Sequence, residues 1–122
     1  MKVFATNDFK KGLKSLQSKH ENRILEDLYL FVSSLKNDFT QKTKDHNTHS
    51  LKKIPFKESH IKSHSSDILL LWVYDVENDV LILKLRDLTN HKELKVSKYQ
   101  KEVKYKPFDI TSIKDTLRYR KR

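Results

Sequence analysis

The spacing of apolar positions changes along the chain, and each spacing predicts a different element. Residues 1–5 (MKVFA) put Val3 and Ala5 on one side and Phe4 on the other, the period of two expected of a first strand. Over residues 7–20 the period lengthens to that of a helix: Phe9, Leu13 and Leu16 recur at i, i+4 and i+7, behind the capping oxygens of Thr6, Asn7 and Asp8. Gly12, the lone glycine, falls inside this helix and costs it about 1 kcal/mol relative to Ala. A second helix is predicted over 21–36, where Ile24, Leu28, Phe31 and Leu35 form a stripe that Leu25 widens. Residues 37–50 (NDFTQKTKDHNTHS) are polar and aperiodic, so a loop is expected there. Short strands at 51–54 and 57–62 should flank Pro55, with a turn at 63–66 (SHSS) after them. Then come DILLLWVY at 67–74 and DVLILKLR at 79–86, joined by the turn residues 75–78, which together predict a β-hairpin. In its second strand Leu81, Leu83 and Leu85 should face the core, while Val80, Ile82, Lys84 and Arg86 take the other face, which ends in cations. Beyond Leu94 the pattern weakens, and Asp109 or Thr111 can cap a last helix carrying Ile113 and Leu117.

This order predicts an α+β fold in which two antiparallel N-terminal helices lie on one side of an antiparallel sheet. A length of 122 residues fits one domain, and a hydrophobic fraction of 36% against 34% charged residues leaves it a compact core under much solvated surface. We expect residues 1–94 to form that domain and 95–122 a basic C-terminal extension, helical at its end. The absence of Cys excludes a disulfide framework and thiolate chemistry. No window approaches the ~18 apolar residues of a membrane span, and the N-terminus becomes charged too early for a secretory signal. The expectation is a cytoplasmic protein with no membrane partner.

Charge narrows the choice of partner. The formal net charge is +10, and residues 95–122 hold ten Lys/Arg against Glu102, Asp109 and Asp115, so +7 of it lies there and +3 in the rest. Such an excess predicts a polyanion: RNA, DNA or an acidic protein. Within the extension, Tyr99 and Tyr105 among Lys95, Lys98, Lys101 and Lys104 can stack on bases while the lysines, with Lys84 on the hairpin, hold phosphates. The same aromatics can equally pin the extension to the domain.

The candidate chemistry lies in the histidines. His60 and His64 have the i, i+4 spacing of metal ligands on a helix, but their segment is expected to be extended, so neither a metal nor any other cofactor is expected. His20 ends a helix and suits its C-terminal dipole. A compact sheet would instead gather His49, His60 and His91 near Arg86, a set suited to cleaving a phosphodiester in RNA. Such a reaction needs a base for the 2′-hydroxyl proton, an acid for the leaving 5′-oxygen and a cation for the phosphorane. Imidazole supplies either proton transfer, Arg a bidentate fork, and Asp67 can orient a histidine or act as the base. Set against this is a basic binding module whose histidines are surface residues.

HSLK at His49, KESHI at His60, the LLLWVY strand opened by Asp67, and RDLTNHKEL with Arg86 and His91 together resemble the YafQ branch of the RelE/ParE toxin superfamily. The resemblance covers about residues 1–94. It implies a small RelE-like fold and a type II toxin that cleaves mRNA on the ribosome as an mRNA interferase, without a cofactor. It further implies a cognate antitoxin, through which the toxin reaches a DNA operator, and His49, His60, Asp67, Arg86 and His91 as catalytic residues. The alternatives are a non-enzymatic inhibitor of gyrase, as in the ParE branch, and a basic nucleic-acid-binding module.

Overall fold

The computed structural model describes residues 1–61 and 67–115. The chain runs β1 (Lys2–Ala5), α1 (Asn7–Ser18), α2 (Asn22–Asp45), β2 (His49–Ser50), β3 (Lys57–Ile61), β4 (Ile68–Glu77), β5 (Val80–Thr89), α3 (Val96–Tyr99), β6 (Lys106–Pro107) and a 3-10 turn (Ile110–Lys114). The six strands form one sheet in the order β2-β3-β4-β5-β1-β6. It is antiparallel except where β1 lies parallel to β5. The fold is therefore α+β, with the sheet mixed at β1 because two helices separate that strand from the hairpin and carry the chain back across one face.

That face holds the main core. Phe9, Leu13 and Leu16 of α1 and Ile24, Leu25, Leu28, Phe31, Val32 and Leu35 of α2 pack on Leu70, Trp72, Leu83 and Leu85 of the sheet. Thr6 accepts from the Phe9 amide and caps α1 as its position suggested. Gly12 has a packing reason, since a Cβ there would sit 3.0 Å from Leu88 Cβ and 3.2 Å from the Leu88 carbonyl oxygen. Helix and strand approach so closely that an alanine methyl would meet Leu88 tighter than an ordinary contact.

The central hairpin is longer and its turn tighter than expected. Strands β4 and β5 each have ten residues, and only Asn78 and Asp79 remain between them. Both take positive φ, 50° and 63°, the two-residue turn whose twist matches that of the flanking strands. The alternation holds through Leu85, then slips. Leu71 pairs with Asp87 and Trp72 with Leu85, so Arg86 is an extra residue with no partner on β4, a β-bulge. After it, Leu88 rather than Asp87 returns to the core face.

Two expectations are corrected. Residues 37–50 are not a loop: α2 runs on to Asp45 after a break at Asp38, whose φ of −147° and ψ of 52° leave the helix. The added turns are held from outside by Phe39, whose ring meets Trp72 edge-on and Tyr74 at a tilt with centroids 5.9 and 4.7 Å apart, a tertiary contact that overrides polar composition. Residues 51–54 form no strand. Ile54 instead packs beneath Tyr99 and Leu71 in a second small core, and the edge strand is His49–Ser50. The turn expected at 63–66, with His64, and Leu117 of the last helix lie outside the described residues.

Residues 95–115 of the expected basic extension are tied to the body. Tyr99 and Ile113 are buried, β6 pairs with β1, and the Phe108 ring meets Phe9 edge-on at 5.3 Å. Asp109 caps the 3-10 turn through the Thr111 amide, one of the two caps the sequence offered.

Candidate functional site

The sheet face opposite the helices carries the histidines, and strand geometry puts them there. Glu58 and His60 are two apart on β3 and share that face; Ser59 and Ile61 point toward the helices. Register then sets two rows across the sheet: His49, Glu58, Leu71 and Asp87 in one, His60, Leu69 and Thr89 in the next. His91 lies two residues past Thr89, where β5 has ended.

The three imidazoles converge on one carboxylate. His49 Nε2 is 2.8 Å and His60 Nε2 3.8 Å from Glu58 Oε2, and His91 Nε2 is 3.6 Å from Glu58 Oε1. Ring centroids are 6.2 Å apart for His49 and His60 and 5.6 Å for His60 and His91. The Glu58 side chain is only 3% exposed, whereas the His49 and His91 rings are about half exposed. A buried carboxyl group thus sits under a row of accessible imidazoles. At the far end His91 Nδ1 donates to Asp67 Oδ2, which leaves Nε2 directed at Glu58. That hydrogen bond, opposed by partial burial and helped by the charges of Asp67 and Glu58, raises the His91 pKa above its ordinary value.

Buried polar contacts on the helix side hold β3 in place. The His60 amide donates to the His46 carbonyl at 2.8 Å, and the His46 ring, stacked on Phe31, lies 3.2 Å from Asp27. Trp72 Nε1 donates to Ser59 Oγ at 2.8 Å, and Ser59 Oγ lies 2.6 Å from Thr48 Oγ1. The strand bearing Glu58 and His60 is thereby fixed to both its neighbours and to α2.

Of the five residues expected to act together, His49, His60, Asp67 and His91 are brought together. Arg86 is not. Its guanidinium is 1% exposed, pairs with Asp8 at 2.8 Å, lies 5.0 Å from the Tyr99 ring centroid and donates to the Lys98 carbonyl at 3.4 Å. No contact links it to a histidine among the described residues, because the bulge turns it toward α1 and α3. Its neighbour Asp87 lies two strands from Glu58, about 10 Å across the sheet. Asp8 in return is held below its ordinary carboxyl pKa, chiefly by the Arg86 hydrogen bond.

Tyr99, expected to offer its ring to a base, is 1% exposed. Its hydroxyl donates to Asp87 at 2.6 Å, and burial followed by that bond pushes its pKa up. Lys98 pairs with Asp87 at 3.2 Å. Lys95, Lys98 and Lys101 do share a surface, lining with Arg86, Asp8 and Glu102 a cleft of about 450 Å³. Lys84 stands apart, exposed on β5 with its ammonium 5.7 Å from the Tyr105 ring centroid, and Lys104 is exposed beside it in sequence.

Glu58 is the residue that sequence reasoning passed over. Its signal lay in KESHI: within a strand, a carboxylate two positions before a histidine shares its face. No protein-family model, characterised protein or solved structure matches this chain.

Proposed function

We propose that this chain is an endoribonuclease working by general acid–base catalysis on the open face of its sheet. The observation that carries the reading is the continuous array Asp67, His91, Glu58, His60 and His49: three imidazoles held by carboxylates, two of them half exposed, on a protein of charge +10. His60 removes the 2′-hydroxyl proton, and the 2′-oxygen forms a bond to the adjacent phosphorus as the P–O5′ bond breaks. His91, its proton retained by Asp67, donates to the departing 5′-oxygen. The products are a 2′,3′-cyclic phosphate and a 5′-hydroxyl. His49 and Glu58 position the two reacting rings. Arg86 serves the architecture that presents the lysines, and its buried charge reaches the phosphate only at long range.

The resemblance of the sequence motifs to the YafQ branch of the RelE/ParE superfamily extends the proposal to a type II toxin cutting mRNA on the ribosome, with an acidic antitoxin segment covering the cationic face. Induction should stop growth, and primer extension on translated mRNA should show new 5′ ends. His91→Ala should slow cleavage by about 10²- to 10⁴-fold while ribosome occupancy persists. Undiminished cutting by that variant sinks the acid–base assignment, and intact RNA with failing DNA supercoiling moves the protein to gyrase inhibition.

A further inference from the structure

The geometry points to a second use of the same side chains: His49, His60, His91 and Glu58 form a site for one zinc-like divalent transition cation. His49, Glu58 and His60 each offer a ligand atom, and these lie within 4.8 Å of one another. A tetrahedral zinc with bonds of about 2.0–2.1 Å needs its donors about 3.4 Å apart. The separations from Glu58 Oε2, 2.8 Å for His49 and 3.8 Å for His60, fall on both sides of that value, and His91 Nε2, 3.6 Å from Oε1 and outside that group of three, would turn inward to become the fourth donor. The half-exposed rings of His49 and His91 leave an entry path from solvent.

Two further features favour a cation over a surface cluster of histidines. Glu58 Oε1 is buried with no hydrogen-bond partner among the described residues, a costly state for a carboxylate oxygen that a bound cation would relieve. His91 is also arranged as a ligating histidine, with one ring nitrogen on a carboxylate and the other aimed at the centre of the cluster. The donor set, three imidazoles and one carboxylate, suits zinc and not magnesium or calcium, which prefer oxygen. His64, whose spacing from His60 first suggested ligands, is not needed.

The site stands on its ligands and not on the nuclease reading, but the two uses exclude each other in time. A nitrogen lone pair given to zinc cannot accept a proton, so bound zinc should silence cleavage. Full-length protein freed of metal with a chelator should be titrated with zinc chloride by calorimetry, without RNA. One saturable equivalent per chain is expected. Binding should be abolished by His60→Ala, weakened about 10- to 100-fold by Asp67→Asn, which removes only the outer partner of His91, and unchanged by the surface control His20→Ala. Cobalt(II) added to the unmodified chain should give the intense visible bands of a four-coordinate ion, a readout that needs no variant to fold. Absence of saturable binding, binding that survives both His49→Ala and His60→Ala, or a weak six-coordinate cobalt spectrum would each overturn the site. If zinc binds at this cluster and the metal-free chain cuts no RNA, the metal site stands and the nuclease reading falls.

Discussion

In the proposed reaction Asp67 acts through His91. The hydrogen bond between them is the largest cause of the raised imidazole pKa, and a general acid must hold its proton before giving it away. Cleavage should therefore fall as pH rises through the raised His91 pKa, and Asp67→Asn should move that alkaline limb of kcat/KM to lower pH with little change in RNA binding. A limb that stays in place would show that Asp67 does not tune His91. Stability follows the same sign. A folded pKa above the unfolded value contributes fully below the ordinary 6.5 and is lost as pH rises through the folded pKa, though two half-exposed side chains make the amount small. The Asp8 and Arg86 pair has the opposite sign: its contribution is present above the ordinary carboxyl pKa of 3.8 and lost as pH falls through the depressed one. Because Arg86 is buried and its Nε has no hydrogen-bond partner among the described residues, Asp8→Ala should cost about 3 kcal/mol, read from the urea midpoint, by stranding a guanidinium inside the protein. A loss below about 1 kcal/mol would mean that water reaches the guanidinium once the carboxylate is gone.

At the scale of elements, what could be read from the sequence was whatever rested on period alone. The stripes Phe9, Leu13, Leu16 and Ile24, Leu28, Phe31, Leu35 are buried in α1 and α2, and Leu83 and Leu85 face them from β5. Contacts made at a distance were not legible. Phe39 carries helix into a polar segment only because Trp72 and Tyr74 lie beside it, and Ile54 leaves the sheet because Tyr99 folds over it. The bulge is the clearest case for the site. Strict alternation put Arg86 on the same face as the histidines, and one extra residue in β5 turned it to Asp8 instead. Strand alternation also made Glu58 legible in principle, but a carboxylate between lysine and serine reads as surface until β2 and β4 are paired beside it. Gly12 shows the same limit, since composition sees a weakened helix where the structure uses a close approach. Gly12→Ala gains helix propensity of about 1 kcal/mol but drives a methyl into the Leu88 backbone, an overpacking that costs about 1–3 kcal/mol. The variant should be less stable by thermal melting; a higher midpoint would mean that α1 can slide away from β5.

For the whole molecule, the described part of the C-terminal segment, residues 95–115, is mounted on the core. No helix among the described residues is long and apolar enough to cross a membrane. Removing residues 95–122 would take away Tyr99, Phe108 and Ile113 together with the strand beside β1, and the truncated chain should lose cooperative unfolding before its RNA affinity can be measured. The charge must be tested in place. Lys95 and Lys101 are exposed at the cleft beside Arg86, whereas Lys98 is engaged with Asp87, so Lys95→Gln with Lys101→Gln removes cations without opening an ion pair among the described residues. If each lysine holds one phosphate of a single strand, the slope of log affinity against log salt should shrink by about 0.7 per residue. Binding should weaken at low salt and converge with that of the parent at high salt. The imidazole row lies across the sheet from this cleft, so the rate of cutting bound RNA should hardly change, the reverse of His91→Ala. A double variant that keeps the parent's salt slope would place the RNA path elsewhere, on Lys84 and Lys104. One that loses cutting at saturation would show that these lysines reach the scissile phosphate and supply the cation that Arg86, held by Asp8, does not.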